Sequence, residues 1–131
     1  MANLSVTDIR PVEVKKQFTA PAGVAISKGQ MVRFDTSSGK IVLSNAASAA
    51  NARVRGIALQ TAIAGQTTTV VQKGIVDVGN ALGALSYDQD VYLSNTDGTL
   101  ADAAGTTSKV AGIVVPGYSS ETPDKLLWID L

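Results

Sequence analysis

The chain has no cysteine and no histidine. The first absence excludes disulfides and thiolate metal sites. The second removes the commonest general base, the commonest metal ligand and the usual pH switch. Aromatic residues amount to 5% while apolar residues reach 45%, so the core has to come from valine, isoleucine, leucine and alanine rather than stacked rings. Neither sign of charge prevails, because 11 basic and 11 acidic side chains cancel. Nucleic-acid binding needs a basic face to neutralise phosphates, so that class of function is excluded. The only basic pairs, Lys15-Lys16 and Arg53/Arg55, read as solvated strand faces. No apolar run approaches the roughly 20 residues of a membrane-spanning helix. Met1-Ala2-Asn3-Leu4-Ser5 lacks the charged and apolar regions of an export signal. The expectation is a soluble protein made in a reducing cytoplasm, with neither nucleic acid nor membrane as partner.

What the sequence does contain is a repeat. Ile26-Ser27-Lys28-Gly29-Gln30-Met31-Val32-Arg33-Phe34, followed by a turn at Ser38-Gly39, returns as Leu85-Ser86-Tyr87-Asp88-Gln89-Asp90-Val91-Tyr92-Leu93 with a turn at Asp97-Gly98. The offset is 59 throughout (85 − 26, 91 − 32, 98 − 39). Beyond the turn, Val54-Arg55-Gly56-Ile57-Ala58 matches Val110-Ala111-Gly112-Ile113-Val114 at an offset of 56 (110 − 54), as a shortened loop would give. Two copies are too few for a solenoid and predict two halves of one closed unit, about 24–78 and 83–131. A length of 131 residues suits one domain with a real core.

Along the chain, residues 1 to 10 carry Leu4, Val6 and Ile9 among polar neighbours, and Pro11 rules out helix continuation there. Val12, Val14 and Phe18 alternate with Glu13, Lys15 and Gln17, the period of a half-buried strand. Lys16 interrupts the apolar side, which predicts an edge or an arm leaving the domain. Pro21-Ala22-Gly23 then punctuates, so residues 1–20 are expected as an extended N-terminal arm ahead of a β domain at 21–131. Strands are predicted at Val24–Ile26, Met31–Asp35, Ile41–Leu43, Arg53–Leu59, Thr67–Val71, Ile75–Val78, Val91–Ser94, Thr99–Leu100, Lys109–Val115 and Lys125–Ile129. Gly39 is placed for a positive φ in a hairpin, and Gly56 for a bulge or a close backbone approach. Ser44 to Ala52 is alanine-rich and reads equally as a short helix or a surface loop. Gln72-Lys73-Gly74 is predicted as a tight connection, and Pro116-Gly117 with Thr122-Pro123-Asp124 as the last loop. The fold class is therefore all-β: a small single-domain barrel or sandwich of about ten short strands, pseudo-duplicated, after an N-terminal arm.

Few residues could carry chemistry. Asp88-Gln89-Asp90 is the tightest acidic pair, but Leu93 and Thr99 stand where a calcium loop needs glycine and glutamate. A solvated turn leading into a strand is the simpler reading. The other acidic residues are scattered. A nucleophilic serine would have only lysine as its base, and no Ser-x-x-Lys exists; Ser108 and Lys109 point to opposite faces of a strand. Gly79-Asn80-Ala81-Leu82-Gly83 lacks the ending of a phosphate loop. Lys73 resembles in placement the modified lysine of lipoyl and biotinyl carrier domains, but Gln72 and Gly74 do not match their motifs. No catalytic residue, cofactor or metal site is expected, and the chain reads as non-enzymatic.

Gly23-Val24-Ala25-Ile26-Ser27-Lys28-Gly29-Gln30-Met31-Val32, Val54-Arg55-Gly56-Ile57-Ala58 and Ala64-Gly65-Gln66-Thr67-Thr68-Thr69-Val70-Val71-Gln72-Lys73-Gly74 resemble the capsid decoration, or cement, proteins of tailed bacteriophages. Asp90-Val91-Tyr92-Leu93 and Asn95-Thr96-Asp97-Gly98-Thr99-Leu100 fit the same pattern. The resemblance covers about Gly23 to Val115, and its motifs shape backbone rather than perform catalysis. It implies a β-rich protein on the outer capsid surface of the virion. Such a protein is typically a homotrimer near three-fold points that clamps the major capsid protein against internal DNA pressure. Under that expectation Leu4, Val6, Ile9, Val12, Val14 and Phe18 form the docking surface, toward capsid or a sister subunit. Trp128, in the last strand, is expected in the core or a subunit contact. The alternative is the base or binding module of a head or tail fibre recognising a host surface ligand. Such modules usually grip sugars with exposed aromatics, which are scarce here.

Overall fold

The computed structural model describes residues 2–117 and 125–131, and these form ten strands and no helix. They are β1 (Asn3–Leu4), β2 (Arg10–Pro21), β3 (Met31–Phe34), β4 (Ile41–Leu43) and β5 (Gly56–Ala58), then β6 (Thr67–Asp77), β7 (Asp90–Leu93), β8 (Leu100–Ala101), β9 (Val110–Pro116) and β10 (Lys125–Asp130). One antiparallel sheet runs in the order β1-β8-β7-β9-β10-β6-β5-β3-β4 and curls into a half-barrel, with β2 on the remaining side of β6.

The repeat in the sequence is a repeat in the pairing. Strand β3 pairs with β4 and β5, and β5 with β6. Strand β7 likewise pairs with β8 and β9, and β9 with β10. The two halves join where β10 meets the second part of β6. Local hydrogen bonds repeat as well. Ser27 N donates to Gln30 Oε1 at 2.8 Å and Ser86 N to Gln89 Oε1 at 2.9 Å. Ala58 N donates to Gln30 O, and Val114 N to Gln89 O. Each turn contains one residue with positive φ, Gly29 at 85° and Asp88 at 63°. The same turn recurs ahead of β6, where Ile63 N bonds Gln66 Oε1 and Gly65 has φ 92°. A carboxamide three residues on thus satisfies the orphan amide of a tight turn leading into a strand. Gly39 and Gly98, the two hairpin glycines, have φ 72° and 67°.

Several expectations change. Within the N-terminal segment, residues 3–4 and 10–21 are part of the sheet rather than an arm: β1 pairs with β8, and β2 runs along β6 from Arg10↔Asp77 to Pro21↔Thr67. Strand β6 is continuous through Gln72-Lys73-Gly74 instead of turning there. Gly74 is required because a Cβ would lie 2.2 Å from Glu13 O, so its glycine signals the crossing of β2, not a turn. Residues 24–26 form no strand, and only the bridge Ile26↔Ala62 remains. Residues 44–52 are turns, with Ala46 and Ala52 buried in the core. Among the described residues the curl is not closed by strand pairing. Loops complete it, through Met31 N to Gly98 O at 2.9 Å, Gly98 N to Ser44 O at 2.6 Å and Ala46 N to Ser94 O at 2.8 Å. Thr122-Pro123-Asp124 lies outside the described residues.

Two apolar clusters hold the sheet. The main one joins Met31, Ile57 and Val71 of the first half to Val91, Leu93, Leu100, Val114, Leu127 and Ile129 of the second. The smaller one packs Ala20, Ala22, Ile26 and Ala62 onto Val32, Ile41, Ala58 and Val70. The first half is therefore buried on both faces, as its unbroken apolar runs require.

Candidate functional site

The six side chains expected to dock are distributed over three environments. Ile9 is buried in the main core. Leu4 and Val6 are half-buried against that core, and Phe18 against the smaller cluster. Val6 covers Gly29, where its Cγ1 would lie 2.5 Å from any Cβ. Hydrogen bonds from Asn3 Nδ2 to Thr96 Oγ1 and from Ala2 N to Asp102 Oδ1 tie the segment to the second half. The Asp8–Lys28 pair at 3.1 Å ties it to the first. Residues 2–9 thus staple the seam between the halves, and Ile9 is unavailable to a partner. Only Val12 and Val14, 39% and 38% exposed, remain open, both on β2.

Among the described residues, strand β2 is a long edge paired only with β6. Residues 10–17 are exposed throughout, and three register shifts interrupt its pairing with β6. Pro11, Lys15, Lys16 and these shifts are the devices by which an edge refuses an added strand. Contact through β2 would therefore use side chains rather than backbone. Phe18 meets Phe34 at 5.3 Å between ring centroids, anchoring the end of β2 to β3.

The clearest open surface was not anticipated. In the first half, Met31, Ile57 and Val71 lie in a row across β3, β5 and β6, and all three are sealed from solvent. Their counterparts in the second half are Asp90, Ile113 and Trp128, paired across β7, β9 and β10 in the same way. Gly56 and Gly112 fix the correspondence, since a Cβ on either would sit 2.4 Å from a backbone oxygen, of Val71 and Trp128 respectively. The face that is interior in one half is exterior in the other. Trp128 is 43% exposed, not buried, and with Val110, Ala111, Gly112, Ile113 and Asp130 it borders a concavity of about 250 Å³. Ile75, paired with Trp128, and Tyr92, paired with Val110, extend this face. Of the two places expected for Trp128, the core is excluded; Leu126-Leu127-Trp128-Ile129 is apolar at every position, so alternation gives no facing. The available signal was Asp90-Val91-Tyr92-Leu93, whose alternation marks the second half as one-sided.

The remaining candidates do not assemble into a reactive centre. Asp88, in the turn leading into β7, and Asp90, the first residue of β7, are exposed, and no group of three acidic residues suited to a metal occurs among the described residues. Lys73 lies in mid-strand with its ammonium 3.5 Å from Asp130, so it lacks the hairpin-tip placement of a carrier lysine. Two carboxyls are held below their ordinary value. For Asp8 the main cause is the hydrogen bond from Lys28, and for Asp35 it is that from Ser38. Both are turn and seam contacts on the surface. Compared with models of known protein families and with curated proteins, the chain matches none of them.

Proposed function

We propose that this chain is a non-enzymatic decoration protein of a phage capsid, binding the outer surface of the assembled head and bridging major capsid subunits against internal DNA pressure. The observation that carries the reading is the Asp90–Ile113–Trp128 face. Its counterpart in the first half is a packing surface covered by the rest of the chain, and here none of the described residues packs over it. A rigid sheet presenting an uncovered packing face suits docking more than turnover. Burial contributes about 25 cal/mol per Å² of apolar area before association costs. Binding only the assembled state stabilises that state by mass action. The same face could take a sister subunit in a homotrimer, with Val12 and Val14 as a second contact.

The test compares heads with and without the chain. Heads lacking it should release DNA at a lower temperature, and adding the purified protein should restore retention, whereas Trp128→Ala protein should not. Equal retention with and without the chain would sink the reading. One observation favours a second reading, a fibre base or binding module recognising a host surface ligand. Trp128 borders a concavity, as the aromatic side chains of sugar-binding modules do. Copy number separates the two: electron cryo-microscopy of particles showing full lattice coverage supports decoration, and a few copies at one vertex support the fibre base.

A further inference from the structure

A second surface, in the first half, has a different chemistry. A groove of about 370 Å³ opens beside β3, lined by Arg33, Phe34, Asp35, Asn51, Arg53 and Arg55. Arg33 is half-buried on β3 opposite Val42, and its Nε is sealed from solvent with no hydrogen-bond partner. Val54 is buried between Arg53 and Arg55, while both arginines stay exposed at the groove. The one acid in the lining is already committed: Asp35 accepts from Ser38 Oγ at 2.8 Å, and from the Ser37 and Ser38 amides. The ion pairs among the described residues involve Arg10, Lys15, Lys28 and Lys73, none of them in this groove. Three guanidinium groups thus share a concave site with a single carboxylate, Asp35, and none of them forms a direct ion pair with it among the described residues. A buried charged donor left unpaired is unfavourable, and native structures seldom keep one without a reason.

We propose that this groove binds a carboxylate, supplied by an acidic side chain of a protein partner. A guanidinium offers two parallel N–H donors that match a carboxylate, and the exposed Arg53 and Arg55 present theirs at the groove beside Arg33. Phe34, 42% exposed, gives an apolar wall for the methylenes of a glutamate. A polyphosphate track is disfavoured because Asp35 stands in the groove and the chain carries no net charge. The site stands on its own geometry, apart from the Trp128 face and from the capsid reading.

The experiment follows the side-chain Nε–H resonances of the arginines in the ¹⁵N-labelled full chain at low ionic strength. The probes are a capped tetraglutamate peptide, inorganic phosphate and a short single-stranded oligodeoxynucleotide, each added separately. The peptide should shift the Arg33 resonance saturably. Arg53→Ala with Arg55→Ala should weaken binding roughly tenfold. Arg33→Lys, which keeps the charge but loses the fork, should weaken it by a similar factor. Because Arg53 and Arg55 are exposed, their variants decide the matter even if Arg33→Lys fails to fold. An Arg33 resonance that ignores the peptide overturns the proposal. So does equal affinity for phosphate, or tighter binding of the oligonucleotide than of the peptide.

Discussion

Ile57 and Ile113 occupy the same place in two copies of one strand arrangement, yet Ile57 is sealed and Ile113 half-exposed. The backbone plan of the halves is shared to the level of single hydrogen bonds, as the Gln30 and Gln89 turns show. What differs is what lies against each. The first half is sandwiched between the second half and its own segment around Ala20, Ala22 and Ile26. The second half has the main core on one side, and on the other none of the described residues packs over it. A duplicated hairpin unit therefore fixes its own pairing but not its surroundings. The half left one-sided is where a packing face becomes available to a partner, and the half covered on both sides is where a charged rim does.

The comparison can be broken most directly at the matched glycines. Gly56→Ala and Gly112→Ala each place a Cβ against a backbone carbonyl, and backbone cannot swing aside as a side chain does. Each should cost about 3 kcal/mol in urea denaturation; a large cost at one site and none at the other would refute the equivalence. Comparable at the larger of the two sites are the matched isoleucines. Ile57→Ala removes a fully buried side chain and should cost about 3 kcal/mol, whereas Ile113→Ala should cost about 1. Equal losses would mean that the face bearing Trp128 is covered in solution.

A smaller effect is expected at the turns. Asp88→Gly should gain up to about 1 kcal/mol, since glycine adopts φ 63° freely. Gly29→Asp should lose more than that, because Val6 occupies the space a Cβ needs. The smallest effect is local and pH-dependent. In the first hairpin Ser37 N donates to Asp35 Oδ1, and at the matching place in the second Thr96 N donates to Ser94 Oγ. Asp35 titrates below the ordinary 3.8, so its contribution is complete above that value and is lost as pH falls through the lowered one. The Ser37 and Ser38 amide shifts should therefore move below about pH 4, while Thr96 stays still. Movement of both together would indicate global acid unfolding rather than loss of one turn.

Legibility followed how local each cause is. The hairpins, the positive-φ glycines and the repeat were readable because a turn is specified by the few residues within it. Gly74 and Lys73 were misread because the sequence shows that a glycine is needed but not whether a turn or a crossing strand needs it; here β2 does. The N-terminal segment was misread for a related reason. Its apolar residues were visible, but their partner was the seam between two halves, which exists only after both have folded. Of the docking candidates, Val12 and Val14 remained on the surface while Ile9 went to the core. The arginine groove escaped notice because Arg33 stands about twenty residues from Arg53 and Arg55 in the chain.

By itself, the amino-acid order determined an all-β chain with a twofold internal plan, since alternation, β-branching and turn residues act over a few positions. It also determined a chemistry without cysteine or histidine. Only the tertiary structure decided which side of each strand became interior. A strand that is apolar on both sides can bury either one, and its choice depends on what distant segments bring against it. That choice left Trp128 partly exposed and the Arg33 Nε without a hydrogen-bond partner.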